Sequence, residues 1–376
     1  MSAQESKSET VGFRLSPQQD RLLGVDDSRS VVQCAAVLAG PVRESAVRAA
    51  LEAAIARHEI LRTTFPQADG MRGRSQVIHE TLVPEWTSEP NPKGEVDERA
   101  AIASLIAVQA RRGFDLERGP LLRALLLAPS REHGLLILTA HAACADAASL
   151  LVILDELAQS YGGGGEPDEP VQYADYAEWR HELITGEDDQ AAEGKAFWRR
   201  NSEDRPAVPS LLFATAGGRS GFCAPVSIAW PADELARVRG AAATAGVPVA
   251  VFLEACWHAL VARLSGAGEL MIAGWCDGRA QPDLERALGP YAQPVPIRSR
   301  LQADTSFAEI LDQVARARAE ATSWQDLASA EDLSALRADT ACGFIHLELE
   351  RLPDPVVEIA AINPSSDAAL LLASRS

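Results

Sequence analysis

Two lobes of mixed α/β structure are what this sequence predicts, on three observations. At 376 residues the chain is longer than a single core usually fills, since cores stop growing near roughly 250–300 residues. Helical and strand-like hydrophobic periodicities are mixed within each half rather than segregated, which suits two α/β lobes better than one doubly wound sheet. A Ser-, Pro- and Gly-rich stretch without a clean period, residues 201–221, lies between the halves. The expected division is an N-terminal lobe at 1–180, a helix and inter-lobe linker at 181–222, and a C-terminal lobe at 223–376.

The elements follow in order. Residues 45–65 place Val47, Leu51, Ile55 and Ile60–Leu61 at near-helical spacing and then turn extended, with Ser45 as the expected N-cap. Residues 121–127, apolar except for Arg123, and the apolar run 135–138 are separated by "PSREHG", the pattern of two neighbouring buried strands joined by a short turn. Helical spacing returns over 149–161 and stops at "GGGGEPDEP". That run lacks the following Lys-Ser/Thr of a phosphate cradle and reads as a loop. Residues 170–184 form a further helix with Tyr173, Tyr176 and Trp179–Arg180 on one face. Beyond the linker, "PADELARVRGAAATAG" and "PVAVFLEACWHALVARLSG" are helical, "LMIAGWCDGR" is strand-like, residues 307–322 form a long helix, and "GFIHLELE" alternates like a strand.

Composition narrows the function. Lys and Arg number 35 against 53 Asp and Glu, a net charge of −18. So acidic a surface repels phosphate backbones and anionic lipid, which argues against nucleic acid and membrane partners. The six cysteines (Cys34, Cys144, Cys223, Cys256, Cys276, Cys342) are scattered without a C-x-x-C, as expected of reduced, buried thiols in a cytoplasmic setting. The opening "MSAQESKSET" has no apolar signal core. Residues 134–154 are apolar enough to raise a membrane span, but His141 and Asp146 in their middle and the lack of a basic flank argue against one.

The stretch that carries chemistry is "LTAHAACADAASLL", residues 138–151, with His141, Cys144 and Asp146 between an apolar run and a helical pattern. Histidine is the usual general base near neutral pH, and His141 ends an apolar strand. A core histidine bonded to the backbone fits the same spacing. Asp146 is placed to cap the next helix or to pair with an arginine. Cys144 would serve as a nucleophile only if His141 lowered its pKa. A metal site would need a fourth ligand that no His or Cys pair supplies, so none is expected.

Several motifs, in register over nearly the whole chain, resemble the condensation domains of non-ribosomal peptide synthetases. "FRLSPQQDRLL" matches the family's opening segment at Ser16, Gln19, Arg21 and Leu22, and "RHEILRTTF" matches its Arg-His-Glu-x-Leu-Arg-Thr-x-Phe motif. "FDLERGPLLRALL", "VQYADYAEWR" with "AFWRR", and "IAGWCDGR" with "ALGPYAQPVPIR" follow in the expected order, and "SWQDL" stands where the family often has His-Gln-Asp. The resemblance implies two chloramphenicol-acetyltransferase-like lobes in a V around a central tunnel, into which donor and acceptor carrier proteins feed thioesters on phosphopantetheine arms. It implies no cofactor bound by the chain itself.

The family's central His-His-x-x-x-Asp-Gly motif falls on His141, Ala142, Asp146 and Ala147, so alanine stands where the second, catalytic histidine would be. Alanine moves no proton, and His141, one step away in register, would face the other side. The resemblance further pairs Asp146 with Arg62, places Ala143, Ser149 and Gly274 along the tunnel, and implies a second lobe cut short at its C-terminus, with a strand edge near 368–373. Two functions follow. One is a condensation-like domain that binds carrier-tethered intermediates, or recruits a tailoring enzyme, with lost or altered amide-forming activity. The other is an acyl or aminoacyl transferase that forms an amide or ester by positioning, with Cys144 as an optional acyl carrier. An acidic chain meeting acidic carriers needs local basic or apolar docking patches, and "FWRRN" at 197–201 is one candidate.

Overall fold

The computed structural model describes residues 12–23, 30–40, 42–67, 73–89, 98–127, 133–161, 168–203, 205–207, 230–302, 304–339, 342–347, 357–363 and 370–375. In chain order its main elements are α1 (Pro17–Leu23), β1 (Val31–Ala39), α2 (Glu44–Arg57), β2 (Thr63–Thr64), β3 (Val77–Ile78), β4 (Glu85–Glu89), α3 (Glu98–Arg111), β5 (Leu122–Leu127), β6 (His133–His141), α4 (Ala147–Tyr161), α5 (Tyr173–Thr185) and α6 (Asp189–Glu203). They continue as α7 (Ala232–Ala245), α8 (Val249–Ser265), β7 (Glu269–Cys276), β8 (Gln293–Arg300), α9 (Phe307–Ser323), α10 (Ala330–Asp339), β9 (Cys342–Leu347), β10 (Val357–Asn363) and β11 (Leu370–Arg375).

The chain forms two compact units, but not as contiguous stretches. The first comprises Met1–Thr185 together with Asp277–Ala292 and Glu350–Ser365, and the second takes the remainder. This corrects the expected 1–180 and 223–376 division: two later segments return to complete the first unit. Most of the expected linker lies outside the described residues, as do the Gly-rich run at 162–167 and Cys223.

The first unit is built on a five-stranded sheet of order β10-β1-β6-β5-β4. β5 and β6 pair antiparallel, as their adjacent apolar runs predict. Residues alternate across the sheet. Ala35, Leu125, Leu127 and Ile137 form one core cluster with Ile102 of α3, while α4 packs against α2 and β1. The predicted cap of α2 is corrected: the N-cap position is Arg43 and makes no side-chain cap bond, so Ser45 falls inside the first turn. The apolar stretch at 134–154 divides into β6, a loop and α4, because the backbone turns at Ala142–Asp146. No single described helix is long and apolar enough to cross a membrane.

The second unit has a four-stranded sheet of order β11-β9-β7-β8. β11 pairs parallel with β9 from Leu370 to Arg375 and is the outer strand of this sheet among the described residues. α8 and α9 pack together, and a buried ion pair, Glu254 of α8 with Arg318 of α9, joins them.

Candidate functional site

His141 is the last residue of β6 and is fully buried. By alternation it shares a face with Thr139 and Ile137, the face that α3 covers. The Phe114 ring stands edge-on to its imidazole, with centroids 6.1 Å apart. The guanidinium of Arg123 lies 3.7 Å over the same Phe114 ring. The chain then turns. The Ala142 amide donates to the Ser30 carbonyl at 2.8 Å, and the Cys144 amide to the His141 carbonyl at 2.9 Å. The Ala143 amide donates to His141 Nδ1 at 3.1 Å. In that arrangement Nδ1 is an acceptor and the ring proton sits on Nε2, so the lone pair a base would use is already engaged.

Cys144 is buried, and burial pushes its thiol well above the ordinary range. A thiolate nucleophile is therefore disfavoured at this position.

Asp146 opens α4 and is the most heavily bonded group of the motif. It accepts the Ser149 amide at 2.8 Å, an N-capping contact, as its place before the helix suggested. Its expected partner is corrected. Arg62 bonds the His79 carbonyl and Glu59, both close in sequence. The arginine on Asp146 is Arg279, which makes a bidentate pair at 2.8 and 2.8 Å. Arg62 sits in a short 3-10 turn after α2, where Glu59 of the same turn and the His79 carbonyl just beyond β3 satisfy its guanidinium. Arg279 comes from the returning Asp277–Ala292 segment and is buried with its partner.

That segment adds more bonds. The Ala292 amide donates to Asp146 Oδ2 at 3.0 Å, and the Gly289 amide to Ser149 Oγ at 3.0 Å. Ser149 Oγ lies within 2.7 Å of Asp146 Oδ1 and 2.9 Å of the Gly289 carbonyl, and its one proton serves either. Burial opposes ionisation of Asp146, but the Arg279 charge and the bonds from Arg279 and Ser149 outweigh it and hold the carboxyl below its usual value. Arg279 also lies over the Tyr291 ring at 4.6 Å.

A second layer ties the opening segment and α5 to the same place. Ser16 Oγ and Tyr173 Oη are 2.7 Å apart, and Tyr173 Oη donates to the Pro290 carbonyl at 3.2 Å. Gln19 Nε2 reaches the Ala143 carbonyl at 3.2 Å. Tyr173, Tyr176 and Tyr291 pack ring against ring, with centroids 4.5–5.3 Å apart. Gly289 has φ +152°, and a Cβ there would overlap the Tyr173 ring, so the close approach requires glycine.

Of the residues expected along a tunnel, Ala143 and Ser149 are buried within this brace. Gly274 belongs to the second unit, where Glu254, Arg318 and Ile297 occupy the space a Cβ would need. In the "FWRRN" patch Arg199 and Arg200 are exposed. Phe197 and Trp198 are buried, Trp198 Nε1 donates to the Trp324 carbonyl at 2.9 Å, and Arg200 pairs with Glu320 at 2.7 Å. Among the described residues no three His, Cys, Asp or Glu side chains gather as metal ligands would. Sequence reasoning missed Arg279, Gly289 and Tyr291 as partners of the motif. They lie more than a hundred positions away, and the one signal for them was the Gly- and Pro-rich "CDGRAQPDLERALGPYAQ".

The α/β fold is that of the chloramphenicol-acetyltransferase-like condensation domains. A condensation domain from the polyketide synthase MokA of monacolin K aligns over 97% of this chain and 89% of its own at TM-score 0.80 and 19% identity. An X-domain in complex with OxyB from teicoplanin biosynthesis aligns over 96% and 84% at TM-score 0.75 and 26% identity. The chain belongs to the condensation-domain family, whose profile matches residues 14–337.

Curated relatives include phosphinothricin tripeptide synthetase PhsC of Streptomyces viridochromogenes, 33% identical over 301 residues, which are 76% of this chain and 27% of that protein. Chondramide synthase cmdD of Chondromyces crocatus is 32% identical over 310 residues, 77% of this chain and 8% of that protein. The chain thus spans only a small part of the length of these synthetases.

Proposed function

We propose that this chain is a condensation-like domain of a non-ribosomal peptide synthetase pathway that binds carrier-tethered phosphopantetheine intermediates and has lost or altered the amide-forming step. The observation that carries this reading is Ala142, which offers no imidazole where the family motif has its second histidine. Its neighbours do not replace it: His141 Nδ1 is engaged by the Ala143 amide, the Cys144 thiol is held protonated, and Asp146 is committed to Arg279. The likeness to an X-domain whose structure was solved with OxyB supports a role in recruiting a partner enzyme. The carriers supply the phosphopantetheine arms, and the chain itself needs no cofactor.

The intact brace around Asp146 favours a second reading, a transferase that forms an amide or ester by positioning alone, since holding two tethered reactants together removes much of the barrier. Intact-mass analysis of loaded donor and acceptor carriers from the same pathway separates the two, comparing wild type with Ala142→His. Transfer only by the histidine variant supports the binding role. Transfer by wild type overturns it in favour of the positioning enzyme.

A further inference from the structure

The segment Asp277–Ala292 that completes the first unit is fastened unevenly along its length. Its ends meet, since a Cβ on Gly278 would overlap the Tyr291 carbonyl, and the segment leaves and returns at one place, as an Ω-loop does. The half from Ala287 to Tyr291 is buried and bolted down. The Gly289 and Ala292 amides donate to Ser149 Oγ and Asp146 Oδ2. Tyr173 Oη donates to the Pro290 carbonyl, and Gln18 Nε2 to the Tyr291 carbonyl at 3.5 Å. Arg279 adds its bidentate pair with Asp146 and turns back to donate to the Ala287 carbonyl.

The tip between, residues 280–286, is held differently. Every residue of it but Leu284 is exposed. Its backbone bonds stay local, the Leu284 amide to the Gln281 carbonyl at 3.0 Å and the Glu285 amide to the Pro282 carbonyl at 3.1 Å, a single 3-10 turn. Among the described residues its one polar contact with the rest of the unit is the ion pair of Arg286 Nη1 with Asp155 Oδ2 of α4, at 2.7 Å. That pair is lopsided. Asp155 is buried, its Oδ2 shared with Gln159 and its Oδ1 without a hydrogen-bond partner among the described residues, whereas the Arg286 side chain is 45% exposed. Water and ions reach the contact from the arginine side, so salt screens it more than the Asp146–Arg279 pair, which is buried on both sides.

We propose that the 280–286 tip is a flap, clasped by Arg286 on Asp155, that opens and closes by itself while Arg279 and the bonds of Gly289–Ala292 keep the motif loop locked. Segments with exposed backbone and few buried contacts open locally, without unfolding of the whole. Opening bares the Asp155 carboxylate and the seat of Leu284 and leaves Asp146 gripped. The flap also carries Asp283 and Glu285, both exposed and of the same sign as Asp155. Salt would tighten the flap if their repulsion outweighed the clasp, but the direct contact of Arg286 favours the clasp. The inference rests on this geometry and not on the function proposed above.

Hydrogen–deuterium exchange of the full chain tests this, read by mass on peptides covering 280–288 and 289–294, at about 50 mM and about 500 mM sodium chloride. A lone 3-10 turn does not persist once undocked, so opening releases its amides to exchange. Exchange is expected to be about two- to fivefold faster at high salt in 280–288, the range an ion pair of this exposure controls, and unchanged in 289–294. Arg286→Gln should reach the fast rate already at low salt and lose the response to salt. Asp155→Asn combined with Arg286→Gln, which leaves no buried carboxylate without its guanidinium, should behave the same way. Faster exchange in both peptides together, slower exchange at high salt, no response to salt, or a response that survives in both variants each overturns the flap. No carrier or turnover enters this measurement, so its failure is distinct from failure of the binding role.

Discussion

Asp146 shows how one side chain can decide the state of a motif. Its carboxylate is buried against Arg279, and removing either charge leaves the other without compensation. Asp146→Asn is therefore expected to lose about 3–5 kcal/mol, and Arg279→Met a similar amount. Arg62→Met, whose partner Glu59 is a third exposed, should lose no more than about 1 kcal/mol. Urea unfolding of the three variants checks this, and a large loss at Arg62 would restore the pairing that the family motif suggested. The sign with pH follows from the depressed carboxyl. Its stabilisation is full above the unfolded value, about pH 4, and is lost as pH falls through the lower folded value. The gap between wild type and Asp146→Asn should hold through neutral pH and close below about pH 4.

At the scale of elements, periodicity located most of the secondary structure but, beyond the adjacent β5–β6 pair, none of its partners. Apolar runs gave β5 and β6, and helical spacing gave α4, α7, α8 and α9, because those patterns are local. The cap of α2 and the helix α3 were not legible: Ser45 looks like a cap but lies two residues past the cap position, Arg43, and α3 has a weak apolar face. Arg279 could not be read as the partner of Asp146, since sequence gives no distance between residues 133 apart. Two glycines make the same contrast testable. Gly240 lies within α7 with nothing within 4 Å of its Cβ position, so Gly240→Ala should stabilise by about 0.5–1 kcal/mol. Gly274 looks equally innocuous in "MIAGWC", yet the buried Glu254–Arg318 pair and Ile297 fill its Cβ space. Gly274→Ala must displace them, at about 1–3 kcal/mol or more. Thermal unfolding that ranks the two alike would mean the pair can shift aside freely.

The whole molecule is organised by two returns of the chain rather than by a boundary along it. β10 pairs antiparallel with β1 from Gln33 to Leu38, and Asp277–Ala292 supplies Arg279, Gly289 and Tyr291 to the motif loop. A sequence reading divides a chain where composition changes, and nothing in composition marks a segment that leaves one unit to finish another. The consequence is that residues 1–185, although they contain α1 to α5 and every motif residue from His141 to Asp146, lack two parts of their own fold. In that fragment β1 would show an unpaired edge, an invitation to association. Asp146 would be left with its local bonds to Ser149 but without the guanidinium that offsets its burial. The fragment is therefore expected to aggregate, or to lose the sharp near-UV circular dichroism transition that the full chain should show on heating. A fragment that instead unfolds cooperatively within a few degrees of the full chain, about 1 kcal/mol of stability in a unit of this size, would mean that the returning segments contribute little and that the motif loop is held by its own lobe alone.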